Sequence, residues 1–253
     1  MGKNISRLAI ESGIFNLTGA IESSDFQGCN QSYLSLTGIG SPDLKVLPNL
    51  KEIKTPPAVV IDFSYFKATL RHLADAAELK IPYVIGTTGF SEEQISEIKK
   101  YSAHIPVLLS PNMSMGVNVL FLAAQYLTKL IGENYDIEII EYHHNQKVDS
   151  PSGTALKLHE TVKNTLTRET ELVHGRNGLV GKRKKSEIGM HAVRAGDIVG
   201  EHTLLFAGMG EEIRLTHRAQ TRETFAKGAL KCAEFLHNKP AGMYDMKSVL
   251  GIA

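Results

Sequence analysis

The 253-residue sequence predicts an α/β fold: a doubly wound parallel sheet, then a second α+β domain with an open mixed sheet. Between residues 58 and 109, short apolar runs bounded by turn residues alternate with helical patterns. That order builds a parallel sheet with helices on its faces. Past Gly116 the pattern changes to long stretches in which polar and apolar side chains alternate, as in strands with one wet face.

Taken in order, Met1 to Ser12 places Ile5, Leu8 and Ala9 at helical spacing, and Phe15 to Ile21 reads as a strand ending at Glu22. A polar stretch broken by Gly28, Gly38, Gly40 and Pro42 follows without a clear period. After Pro56-Pro57, the apolar run Ala58 to Phe63 suits a strand buried on both faces. Lys67 to Leu79 is helical, and Tyr83-Val84-Ile85 is a buried strand running into Gly86-Thr87-Thr88-Gly89. Ser91 and Gln94 have the spacing of a capping box that opens the next helix. Val107-Leu108-Leu109 is a further strand, ending at Ser110-Pro111-Asn112. Val117 to Ile131 is apolar nearly all round and predicts a buried helix. Asp136 to Tyr142 alternates as a half-exposed strand, and Thr154 to Leu166 is a helix. Ser186–Arg194, Ile198–Ala207 and Glu212–His217 alternate again, an antiparallel or mixed sheet with one flanking helix. Thr221 to Leu236 is a helix with Phe225, Ala229, Cys232, Ala233 and Leu236 on one side. The expected domains are residues 1–113 with 222–253, and residues 114–221.

Hydrophobic residues make up 42% and charged residues 22%, the balance of a globular protein. A net charge of +1 gives no broad attraction to nucleic acid or an anionic membrane. The basic run Lys182-Arg183-Lys184-Lys185 is short and reads as a loop, solvated or near a small anion. Cys29 and Cys232 support neither a disulfide framework nor a metal site, and no run approaches membrane-spanning length. A cytoplasmic protein without a metal is the expectation.

In a doubly wound sheet, ligands bind beyond the carboxyl ends of the strands. Glu22 follows one such strand, where an acidic side chain accepts hydrogen bonds from a cofactor ribose. Gly86, Thr87 and Thr88 follow Ile85, and Ser110, Pro111, Asn112 and Met113 follow Leu109. Glycine allows close backbone approach, and Thr and Asn offer hydrogen bonds. Each group alone also fits an ordinary turn.

The densest cluster runs from Glu141 to Ala155 and contains His143, His144, Lys147 and Ser152-Gly153-Thr154. The turn at Ser152 opens a helix, whose first N–H groups and positive dipole end attract an anion. Lys147 adds a positive charge, and a histidine carries a proton near neutral pH. Together they suit gripping a carboxylate and donating a proton to developing negative charge. Zinc binding would need further ligands that this spacing does not supply.

The string His143-His144-Asn145-Gln146-Lys147-Val148-Asp149-Ser150-Pro151-Ser152-Gly153-Thr154-Ala155 resembles the signature of the 4-hydroxy-tetrahydrodipicolinate reductase (dihydrodipicolinate reductase) family. The segments 86–90, 110–118, 196–202, 206–211 and 216–219 also resemble that family's blocks, in order from about residue 58 onward. The resemblance implies a Rossmann-like first domain and reduction of a cyclic unsaturated imine by NADH or NADPH, in lysine and diaminopimelate biosynthesis. It implies that His143 and Lys147 donate protons, and that His144, Gly153 and Thr154 bind a small dicarboxylate. By the same resemblance Gly86, Thr88, Ser110 and Met113 line the cofactor. The second domain is expected to build a homotetramer through its sheet. Glu22, with Ser23, Ser24 and Asp25 after it, points to NADH over NADPH.

A dinucleotide site also needs a first strand and a glycine-rich turn whose amides hold the pyrophosphate. Met1-Gly2 resembles the last residues of that turn, and Lys3 onward already reads as helix. Either the start was placed too late or this version lacks the phosphate loop, and the 253 residues as they stand are expected to pair a weakened phosphate hold with a complete substrate site. The alternative is a non-catalytic tetrameric dicarboxylate-binding protein.

Overall fold

Tyr83, Val84 and Ile85 are wholly buried, and the strand they form is central to the first of two compact units. The structure, a computed structural model, describes residues 1–252. One unit is Met1–Met115 with the segment from Glu223 onward, and the other is Gly116–Arg222.

The first unit opens with α1 (Gly2–Ser12), β1 (Ala20–Ile21), α2 (Tyr33–Thr37) and β2 (Val46–Leu47). Then come β3 (Val60–Asp62), α3 (Phe66–Glu78), β4 (Tyr83–Ile85), α4 (Glu92–Ser102) and β5 (Pro106–Leu109). The second unit carries α5 (Met115–Ile131), β6 (Asp136–His143), α6 (Gly153–Lys163), β7 (Glu171–His174), β8 (Glu187–Arg194), β9 (Gly200–Ala207) and β10 (Glu212–Ala219). The chain then returns to the first unit with α7 (Glu223–Leu236), β11 (Gly242–Tyr244) and α8 (Met246–Val249).

In the first unit β11, β5, β4 and β3 form an all-parallel sheet in that order. Side chains alternate across its plane, so each strand feeds two cores. Val84 and Leu108 join Ile5 and Leu8 of α1 and Ala226, Ala229, Cys232 and Leu236 of α7. Tyr83, Ile85 and Val107 join Leu73 and Ala76 of α3 and Ile98 of α4. This double burial explains why these strands read as continuous apolar runs. Helix α7 sits close to the backbone after β5: a Cβ at Gly228 would lie 1.7 Å from the Met113 carbonyl oxygen. The Ser91–Gln94 capping box forms at the start of α4.

The expected strand over Phe15–Ile21 shrinks to Ala20–Ile21. It pairs with β2 in a separate two-stranded sheet and takes no place in the four-stranded one. Leu17 and Ala20 pack on a small cluster of Tyr33, Leu44 and Val46, and this local core holds the segment. Helix α2, opened by the Ser32 side chain accepting from Ser35 N, lies in the stretch that showed no period.

The second unit is a five-stranded mixed sheet in the order β10-β9-β6-β8-β7. β6, β8 and β7 are parallel, and β9 is antiparallel to β6 and β10. Ile137, Ile139, Ile188, Met190, Leu204 and Phe206 share one face and pack with Ala155, Leu158 and Val162 of α6. Leu120 and Ala124 of α5 belong to the same core, so two helices serve this face where one was expected. Within its unit, α5 buries only the stripe Val117, Leu120, Ala124 and Thr128. Val119, Tyr126 and Leu130 stay exposed, which departs from the all-round burial its composition predicts.

Candidate active site

Strand β6 turns a row of alternate residues toward α6: Ile137, Ile139, Glu141 and His143. The first two are core. Glu141 and His143, at the carboxyl end of the same row, carry the chemistry. Cross-strand pairing places His202 of β9 opposite Glu141 and Arg194 of β8 beside His143.

Glu141 is wholly buried. Its Oε1 accepts from Arg194 Nη2 at 2.8 Å and from the Ser152 backbone N–H at 3.1 Å. Its Oε2 accepts from Arg194 Nη1 at 3.0 Å and sits in close hydrogen-bond contact with His143 Nδ1. Burial alone would raise its pKa, but the Arg194 guanidinium, His143 and the Ser152 amide outweigh that and hold the carboxyl below its ordinary range. His143 is lowered, first by burial and then by the nearby Lys147 and Arg194 charges, against an opposing pull from Glu141.

Ser152 caps α6, its Oγ accepting from Ala155 N at 3.2 Å and lying 2.9 Å from His202 Nε2. Burial pushes the His202 imidazole down to about 3, with the charge of His143 adding to the effect. His202 meets His143 edge-on, with ring centroids 5.1 Å apart. Glu141, His143 and His202 bring three metal-capable atoms within 4.8 Å of one another. The Glu141 oxygens and His202 Nε2 already face hydrogen-bond partners, however, and the Arg194 cation sits against the carboxylate. A hydrogen-bonded relay accounts for this trio better than a metal cage.

Lys147 and His144 lie on the loop that follows β6. Lys147 Nζ donates to Asp149 Oδ1 at 2.6 Å, and Arg194 Nη2 donates to the Asp149 carbonyl at 2.7 Å. His144 Nε2 lies 3.5 Å from Arg222 Nη2. Gly153 and Thr154 form the first turn of α6, with Gly153 exposed. The predicted cluster His143, His144, Lys147, Gly153 and Thr154 therefore gathers around the carboxyl end of β6 and the amino end of α6. Sequence reasoning gave no role to Glu141, Arg194 or His202. The signal was the spacing of Glu141 two residues before His143, in the row that begins with two buried isoleucines.

In the first unit, Gly86 and Thr87 follow β4, and a Cβ at Gly86 would collide with the Phe63 ring at 2.3 Å. Thr88 and Gly89 are exposed. The Thr87 side chain turns inward: its Oγ1 lies 2.9 Å from Thr69 Oγ1 and 3.4 Å from Asp62 Oδ1. Ser110 Oγ donates to the Asn112 carbonyl, Asn112 Oδ1 accepts from Ser114 N, and Pro111 is exposed. The Met113 side chain is buried in the core against α7. Glu22 is exposed, with Oε1 accepting from Ser23 N, and it follows the two-residue β1 rather than a strand of the main sheet.

Comparison with known proteins decides the family. The profile of "Dihydrodipicolinate reductase, N-terminus" matches residues 1–113, and that of "Dihydrodipicolinate reductase, C-terminus" matches residues 116–250. The chain belongs to the dihydrodipicolinate reductase family. It is 43% identical over 253 residues to the 4-hydroxy-tetrahydrodipicolinate reductase of Syntrophus aciditrophicus, covering 99% of this chain and 94% of that protein. It is 44% identical over 254 residues to the Syntrophobacter fumaroxidans reductase, covering 100% and 95%. Among solved structures, a dipicolinate-bound dihydrodipicolinate reductase from Paenisporosarcina sp. TG-14 superposes with a TM-score of 0.75 at 23% identity, covering 96% of this chain and 92% of that one. An amine dehydrogenase from Mycobacterium smegmatis shares the fold at a TM-score of 0.63 and 14% identity, covering 96% and 91%. Among the described residues, no helix is long and apolar enough to cross a membrane.

Proposed function

We propose that this reductase-family chain reduces 4-hydroxy-tetrahydrodipicolinate to tetrahydrodipicolinate, as a cytoplasmic enzyme of lysine and diaminopimelate biosynthesis. The observation that carries the reading is the end of β6. His143 lies against a buried carboxylate, with Lys147 on the adjoining loop and the α6 amino terminus beside it. Nothing in the comparisons supports the non-catalytic alternative.

The first unit fits a nicotinamide cofactor on its own geometry. Three parallel strands end together at Asp62, Ile85 and Leu109, the edge of such a sheet where ligands bind. Thr88, Ser110 and Asn112 would hold the cofactor at these ends, with Glu22 on its adenosine ribose and NADH favoured over NADPH. The bound cofactor supplies the hydride. In the second unit, the first turn of α6 and His144 grip a substrate carboxylate. As the ring carbon that lost water is reduced, His143 and Lys147 supply the proton that balances the added hydride. The mixed sheet is proposed to join four copies.

His143→Ala and Lys147→Ala are each expected to slow turnover by roughly two to four orders of magnitude, the usual worth of a positioned proton donor. NADH binding measured by calorimetry should be retained in both. Near-normal turnover in both variants would overturn the assignment.

A further inference from the structure

Behind the two proposed proton donors lies an ion pair between the buried Glu141 and the half-buried Arg194, to which the reading above assigns no chemical task. Both Glu141 oxygens are engaged, by the Arg194 fork, the Ser152 amide and His143 Nδ1. An ionised carboxylate only accepts, so Nδ1 must carry a proton and donate it to Oε2. The nitrogen left to gain and lose the second proton is Nε2. It faces Gly200, where a Cβ would stand 3.1 Å away, so the lack of a side chain there leaves that atom room. Arg194 reaches the other donor as well: its Nη2 bonds the Asp149 carbonyl, while Asp149 Oδ1 holds Lys147 Nζ.

We propose that the Glu141–Arg194 pair is the positioning element of this site. Glu141 fixes His143 as the Nδ1–H tautomer with Nε2 as its working atom, and Arg194 holds the Lys147 loop to the same carboxylate. The proposal rests on the reading of His143 and Lys147 as proton donors.

The groups facing His143 settle the sign of a charge change. Glu141 comes from its own strand, Arg194 from β8, His202 from β9 and Lys147 from the following loop, with Ser152 at the α6 cap and His217 of β10 paired across from His202. Glu141 is the one anion among them, so neutralising it weakens the hold of His143 on its proton.

The test is ¹⁵N NMR of histidine-labelled enzyme, with a His143→Gln spectrum to assign the resonance, alongside pH profiles of kcat. Wild-type protein should show His143 protonated at Nδ1 and titrating at Nε2. Glu141→Gln should mix the tautomers and lower the titration midpoint by about one unit. It should move the alkaline fall of kcat down by the same amount and reduce kcat about tenfold or more, with KM for the dicarboxylate changed less. Glu141→Asp restores the charge and should return the midpoint toward the wild-type value. A Glu141→Gln enzyme with an unmoved midpoint and a single Nδ1–H tautomer overturns the proposal. If that variant does not fold, a wild-type spectrum showing Nε2–H at neutral pH overturns it equally. Full turnover in His143→Ala would instead remove the proton-donor reading, and the NMR result would still report the tautomer.

Discussion

His202 is buried between the Ser152 hydroxyl and the His143 ring, where little water reaches a proton on its imidazole. Its folded-state pKa of about 3 lies below the ordinary 6.5, so between those values the folded chain binds fewer protons than the unfolded one. Stability from His202 is therefore complete above pH 6.5 and is lost as pH falls toward 3, at up to about 1.4 kcal/mol per pH unit. In His202→Gln the fall in Tm between pH 6.5 and pH 4 should be shallower than in the wild type. Parallel curves would show that His202 is charged in the folded protein. At this scale the sequence displayed the proposed proton donors and the helix cap, because they lie together within one short stretch. It hid Arg194 and His202, which reach Glu141 only through strand pairing more than fifty residues away. Glu141 itself was in view, as the first polar member of a buried row.

Elements differ in how much of their shape they carry locally. β4 and β5 are buried on both faces, so their apolar runs announced them. β11 pairs only at the sheet edge through Gly242–Tyr244, and β7 adds only four residues at the other sheet's edge. Neither has the length for a period to show. The basic run at Lys182–Lys185 was legible as a loop, but its occupant was not. Arg183 is taken by Asp136 and Glu138, two carboxylates of the same unit that stand where an outside anion would. The segment after β1 bears on cofactor choice. Glu22 is exposed and followed by Ser23, with no Arg or Lys among the next three residues to meet a 2′-phosphate. Calorimetry should give tighter binding for NADH than for NADPH, and Ser23→Arg should narrow the difference. NADPH binding ahead of NADH in the wild type would remove Glu22 from the ribose.

On the scale of the whole molecule, the second unit leaves one side of its sheet without a helix. The core of that unit takes Ile137, Ile139, Leu204 and Phe206, whereas Ile140, Tyr142, Val193 and Leu205 alternate onto the opposite face. Glu138, His191, Glu201 and Arg218 share that opposite face, which mixes apolar and charged groups as subunit interfaces do. β10 also ends the sheet as an eight-residue strand with one ladder edge open. A face of that composition beside an open edge suits self-association, in which the apolar members leave water and the charged ones meet opposite charges on a second copy. Light scattering at micromolar concentration should give the mass of four chains, and a monomer would refute the assembly. Leu205→Glu places a charge in the middle of the face on β9, where burial against a second copy would strand it without a partner. That variant should therefore lose mass toward dimer or monomer while its far-ultraviolet circular dichroism keeps the wild-type form. A Leu205→Glu protein that stays tetrameric would show that the copies meet elsewhere.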